Sequence, residues 1–159
     1  MNMKNLLAMI ALVLAVAFSG CANSGGEETK LPTEIVIDGT YSVIAEKREV
    51  LLTSNDQYQT LMNEVYSNLD QMPRIPVVDF TKNSVIAVFI GERPNGGYMV
   101  TIDSIFEGSK TITVNVTETT PGPNCMTTQA LTRPFSLVKI PKTEKKPVFK
   151  TKQIVKDCQ

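Results

Sequence analysis

The chain has 159 residues, with 16 Lys and Arg against 16 Asp and Glu, 42% hydrophobic residues, and neither histidine nor tryptophan. A neutral chain with no basic patch or acidic tail is a poor ligand for nucleic acid, which excludes that class of partner. Without histidine there is no Ser-His or Cys-His catalysis and no ordinary zinc or transition-metal site, and the carboxylates are scattered singly, so neither an enzyme activity, a cofactor nor a metal is expected.

The first residues read as an export leader. Lys4 supplies one positive charge, and Leu6 to Phe18 are apolar throughout, a run too short to span a bilayer stably but right for a signal peptide. The run ends in Phe18-Ser19-Gly20-Cys21, with small residues before the bond to be cut and a thiol just after it. This resembles the lipobox of bacterial lipoproteins, with Phe18 where leucine is usual. Residues 1–20 are therefore expected to be removed and Cys21 to carry the lipid, its new amino terminus also being acylated. More than one acyl chain gives firm anchoring, where one gives only marginal binding. A secretory signal that merely contains a cysteine, or an uncleaved helix, is the alternative.

Residues 21–31 are small, polar and charged, as expected of a flexible tether. Ala22 in place of Asp mildly favours an outer membrane in a cell that has two. The expected location is the cell envelope. Residues 32–158 then form one globular domain by length. Cys125 and Cys158 are left as an even pair in an exported chain, which points to a disulfide, with two reduced thiols as the alternative.

Glu34 to Ile37 alternate weakly, and Asp38-Gly39 reads as a turn into a strand at Tyr41–Ala45. Arg48–Leu52 is a further short strand. Ser54 with Gln57 has capping-box spacing, and Tyr58, Leu61, Met62, Val65, Tyr66 and Leu69 make one helical stripe that Pro73 and Pro76 bar from continuing. Val85–Ile90 is continuously apolar, the mark of a strand buried on both faces. Tyr98, Val100 and Ile102, then Ile112, Val114 and Val116, alternate with polar residues about a Glu107-Gly108-Ser109 turn, and so predict a hairpin. Phe135–Ile140 and Val148–Lys152 supply two more strands. The expected fold is α+β: a mainly antiparallel sheet of about seven short strands, as a sandwich or open barrel, with one amphipathic helix packed on it.

Three loops carry unusual chemistry. Arg93, Pro94, Asn95, Gly96, Gly97 and Tyr98 form a turn in which proline fixes one backbone angle and glycine permits positive φ. Pro121, Gly122 and Pro123 stiffen the approach to Cys125. Arg133, Pro134 and Phe135 close the third loop, Gln129–Phe135. Arginines and aromatics dominate interface hot spots, so Arg93, Tyr98, Arg133 and Phe135 are the expected anchors of a partner-binding surface. That surface needs the first and third loops together at one end of the sheet. The competing reading is that these are demanding turns required by the fold.

In order, Gly91-x-Arg93-Pro94-x-Gly96-Gly97-Tyr98, Pro121-Gly122-Pro123-x-Cys125, Thr128-Gln129-Ala130-Leu131-Thr132-x-Pro134, Val138-x-Ile140-Pro141-Lys142 and Asp157-Cys158 resemble the PrcB C-terminal domain family, over roughly residues 78–158. The resemblance implies a lipoprotein subunit that associates with and stabilises a secreted subtilisin-like protease complex. The expected partners are thus membrane lipid through Cys21 and a protein, a secreted protease being the one that the resemblance implies. A looser similarity exists to chagasin-type cysteine-protease inhibitors, through Arg93–Tyr98 and Arg133-Pro134-Phe135. The paired threonines and the tryptophan of that pattern are missing. It leaves an inhibitor, or a small-ligand-binding lipoprotein, as the alternative function.

Overall fold

The computed structural model describes residues 28–158, so the leader, Cys21 and most of the tether lie outside the described residues. The elements follow in the order β1 (Thr29–Leu31), β2 (Glu34–Gly39), β3 (Lys47–Leu52), α1 (Asn55–Val65), β4 (Asn83–Ile90), β5 (Met99–Glu107), β6 (Thr111–Pro121), β7 (Phe135–Pro141) and β8 (Lys146–Lys156). The strands make two four-stranded sheets, ordered β1-β5-β6-β8 and β2-β7-β4-β3. The result is an antiparallel-rich sandwich and not a closed barrel.

The uninterrupted apolar run Val85–Ile90 explains the layering. Strand β4 sits between β3 and β7, and its side chains alternate between two cores. Ile86, Val88 and Ile90 point between the sheets, where they meet Val100, Ile102, Ile105, Ile112, Val114 and Val116. Val85, Ala87 and Phe89 point the other way, against Tyr58, Leu61, Met62 and Val65 of α1. Fully burying one such side chain stabilises by about 1.5–3 kcal/mol, whereas an exposed ion pair contributes about 0–1 kcal/mol. The cores decide the fold. The exposed bidentate pair from Arg48 on β3 to Glu64 on α1, at 2.7 and 2.9 Å, adds little beside them.

Helix α1 begins as its spacing predicts. The Ser54 hydroxyl accepts from the Gln57 backbone N–H at 3.3 Å, and Gln57 Oε1 accepts in turn from the Thr53 N–H at 2.8 Å. The stripe overestimates its length, because the helix stops at Val65 and Leu69 is exposed. The Leu69 N–H bonds to Tyr66 O at 3.0 Å, a tighter turn than a helix continues through.

Four further differences have physical causes. Tyr41–Ala45 is irregular, and the strand lies earlier, at β2. Gly39 is not a turn residue: it pairs with Phe135, whose ring occupies the space where any Cβ at position 39 would sit. Thr29–Leu31, placed in the tether by composition, is a strand on β5, with Leu31 buried in the core. A bulge between Ile102 and Ser104 breaks the simple alternation of β5 and turns Ile105 inward as well. Finally, β8 runs parallel to β6, because the chain leaves β6, crosses to the other sheet for β7 and returns in the same direction.

From Lys150 to Lys156 every residue of β8 is exposed, so backbone pairing with β6 holds that half of the strand in place of side-chain burial. A disulfide joins Cys158 to Cys125 across a separation of 33 residues and pins its far end. Loop-closure entropy assigns such a link about 3–4 kcal/mol. Reduction should lower the unfolding free energy by that amount in urea titrations, and should speed amide exchange in β8 more than in β4. An unchanged urea midpoint after reduction would show that the link constrains nothing.

Candidate functional site

Strands β4, β6 and β7 have their loop-bearing ends on the same side of the sandwich, and backbone hydrogen bonds stitch the loops there. Arg93 and Thr132 exchange N–H···O bonds at 2.8 and 3.0 Å, Gly96 N–H donates to Thr128 O at 3.0 Å, and Ile90 N–H donates to Pro134 O at 3.2 Å. The Thr132 hydroxyl adds a bond to the Asn95 carbonyl at 2.8 Å. The first and third loops thus lie together, the condition that a shared surface would need, although β5 and β7, which follow them, belong to different sheets.

The glycines are there for close approach. Gly91 and Gly97 have φ of 77° and 88°, the left-handed region in which a side chain is strained. A Cβ on Gly97 would also stand 2.9 Å from Pro121 Cβ, so the second loop packs directly on the first. Gly122 is buried against Asp157 and donates its N–H to Lys156 O at 2.9 Å, tying this loop to β8. Pro94 and Pro123 are exposed, while Pro121 is half-buried at the end of β6.

The four expected anchors separate. Phe135 is 1% exposed, stacked on Phe89 at 5.4 Å and edge-on to Tyr66 at 6.5 Å, so it is core and not surface. Pro134 is buried beside it. Arg133 is half-buried and spent on Glu92, through Nη2 at 2.5 Å and Nε at 3.1 Å, and on the Ser42 carbonyl at 3.2 Å. Arg93 lies over the Tyr98 ring, 5.8 Å from its centroid, with Nη2 3.5 Å from Glu118. Both arginines fix loop positions before they offer anything to a partner.

Glu118 is the site residue that pattern reading misses, although it shares parity with Ile112, Val114 and Val116 and so must face inward. Its carboxylate is buried between Lys47, at 2.9 Å, and Arg93. Burial pulls the Lys47 ammonium down, but hydrogen bonding and attraction from Glu118, with help from Glu49, leave it above its ordinary value. Lys47 stands on β3, Glu118 on β6 and Arg93 in a loop, so one carboxylate clips both sheets and the loop end together.

Beside this fixed frame lie two mainly apolar depressions. Tyr41, Leu69 and Leu131, 50–62% exposed, rim a groove of about 590 Å³ that Val65, Tyr66 and Arg133 also line. Beyond the Gln129–Phe135 loop, Met99 and Met126 flank a second depression of about 350 Å³ beside the disulfide. Met126 is fully exposed. Among the described residues no three His, Cys, Asp or Glu side chains gather as metal ligands. Rigid loops with projecting Met, Leu and Tyr suit contact with another macromolecule.

Two substitutions test the division between frame and surface. Phe135→Ala should cost about 3–5 kcal/mol of unfolding free energy, the usual loss for a buried phenylalanine. Gly97→Ala should cost about 1 kcal/mol or more through strain at positive φ. A Phe135→Ala protein that melts like the parent would return Phe135 to the surface.

No curated protein and no solved structure matches the chain. Residues 84–141, which run from the second residue of β4 to the end of β7 and include all three loops, match the family described as PrcB C-terminal, the same family that the ordered loop motifs resemble.

Proposed function

We propose that this chain is a lipid-anchored, exported, protein-binding subunit that uses the loop end of its sandwich to hold a partner, as a secreted protease complex would require. One observation carries the reading: exposed Tyr41, Leu69, Leu131, Met99 and Met126 lie at the loop end, beside turns that Gly91, Gly97 and the ion pairs of Arg93 and Arg133 hold in place. Rigid apolar groups contribute to binding with little ordering cost. The direction of β1 supports the same reading. Thr29 pairs with Glu107, at the hairpin end of β5, so the chain that precedes it departs from the end opposite to the loops. The nine residues of β5 separate the two ends by roughly 30 Å. A lipid on Cys21 would hold the hairpin end toward the membrane and turn the loops outward. The inhibitor alternative gains no support, since Pro134 and Phe135, which carry half of that similarity, are buried.

Two measurements test this. Cys21→Ser should shift the protein from the membrane fraction to the soluble one, or block its maturation, and unchanged detergent partitioning would remove the anchor. Leu131→Asp and Met126→Asp should each weaken capture of a native partner, identified by crosslinking in intact membranes, by about 2 kcal/mol, with little change in melting. Retained capture by both variants would move the binding surface away from the loop end.

A further inference from the structure

Strand β8 is an edge strand of 11 residues, and the orientation of its backbone can be read. The Lys156 carbonyl accepts from Gly122 N–H, so residue 156 faces β6. In a parallel pair the N–H and C=O of one residue point to the same side and neighbours alternate. Lys146, Val148, Lys150, Lys152 and Ile154 therefore bond to β6 as well, in a register without shifts. Phe149, Thr151, Gln153 and Val155 send their N–H and C=O outward. Pro147 obeys the same rule, since a proline inside a strand must turn its missing donor to a free edge.

The side chains are sorted just as sharply. Pairing of β8 with β6 puts Pro147 and Phe149 beside Ile112 and Val114 on the inward face, followed by Thr151, Gln153 and Val155. The opposite face carries Lys146, Lys150, Lys152 and Lys156. Among the described residues Lys152 pairs with Asp103 at 3.3 Å, and the other three make no ion pair. Ile154 and Val155 are 44% and 67% exposed on opposite faces of the strand. A long edge is normally hidden, shortened or blunted. Here Pro147 and the lysine row blunt the edge against indiscriminate pairing, yet it runs past its core and is fixed by the disulfide, so a strand that answers the lysines can still be added.

We propose that β8 is a strand-addition site, and that its occupant is an extended segment of a partner protein with acidic residues at alternate positions and β-branched residues between them. A strand laid along β8 stands about 4.8 Å away, with its side chains beside those of β8 on each face. Acidic residues then meet the lysine row, and β-branched residues meet Thr151 and Val155. A second copy of this chain is the wrong occupant, because β8 against β8 sets lysines among lysines. The proposal deepens the protein-binding reading by naming a backbone contact, and it lies outside the segment of the family match, which ends at Pro141.

The test uses the exported, disulfide-intact protein in detergent, with amide exchange followed residue by residue. The probe is a short peptide that alternates valine with glutamate. It should slow exchange at Phe149, Thr151, Gln153 and Val155 by about tenfold or more while leaving Lys150, Lys152 and Ile154, already bonded to β6, as they were. Val155→Pro, which removes an outward donor without touching the β6 ladder, should abolish the effect with melting unchanged, and Lys150→Glu should weaken it. Three results would overturn the proposal. The first is no slowing at those four amides. The second is equal slowing by a peptide with lysine for glutamate or with N-methylated backbone. The third is slowing by phosphatidylglycerol vesicles but not by the peptide, which assigns the lysines to a membrane surface. Leu131→Asp, in the groove with Tyr41 and Leu69, reports on the loop end and not on β8, so either reading can fail alone.

Discussion

Everything in this molecule is arranged around a strand that must be hidden on both sides. With no polar residue between Val85 and Ile90, β4 cannot face water on either face, so one layer has to cover each. The sheet β1-β5-β6-β8 covers one and α1, with its flanking loops, covers the other. Three layers follow from six residues. The buried Ser84 hydroxyl shows how closely the cover fits, since it donates to Thr143 O at 2.9 Å and accepts from Thr143 N–H at 3.1 Å. Both polar groups are satisfied where no water reaches.

The loop end depends on that layering. Two sheets that share only an apolar interface could slide, because hydrophobic contact has no direction. Glu118 supplies direction. Its carboxylate reaches from one sheet to Lys47 on the other and to Arg93 in the first loop, at a point where burial reduces screening. Replacing it by an apolar residue could preserve stability yet lose the relative position of the loops, a known distinction between ion pairs that stabilise and ion pairs that specify.

Much of this was legible in the chain itself, and the limits were physical. Continuous apolarity marked β4, period 3.6 marked α1, and period 2 marked β5 and β6, because each is a local signal of burial. The pairing of Cys125 with Cys158 followed from counting. Gly39 misled, since a glycine beneath a ring and a glycine in a turn look alike until the ring is placed. Phe135 misled for the same reason: Arg-Pro-Phe resembles an exposed motif, and only the stacking on Phe89 puts it inside. The parallel β6–β8 pair depends on a crossover through another sheet, which no local pattern encodes. Of the candidate site, the glycines and prolines mark demanding turns, while the meeting of the first and third loops is only a condition that a shared surface would need. The projecting residues were not legible, because Met126, Leu131 and Tyr41 are distinguished only by what fails to cover them.

The short strand β1 also sets how the fold meets mechanical tension. A pull between residue 28 and the loop end is directed along the strands. It does not peel β1 away one bond at a time, because Thr29, Lys30 and Leu31 are drawn lengthwise past Glu107, Phe106 and Ile105 and their bonds share the force. If β1 yields, its three residues are already extended and release little slack. The next strand, β2, is anchored on β7 and is drawn lengthwise too. Such a domain gives a little under tension and then holds, as a spring washer does beneath a bolt.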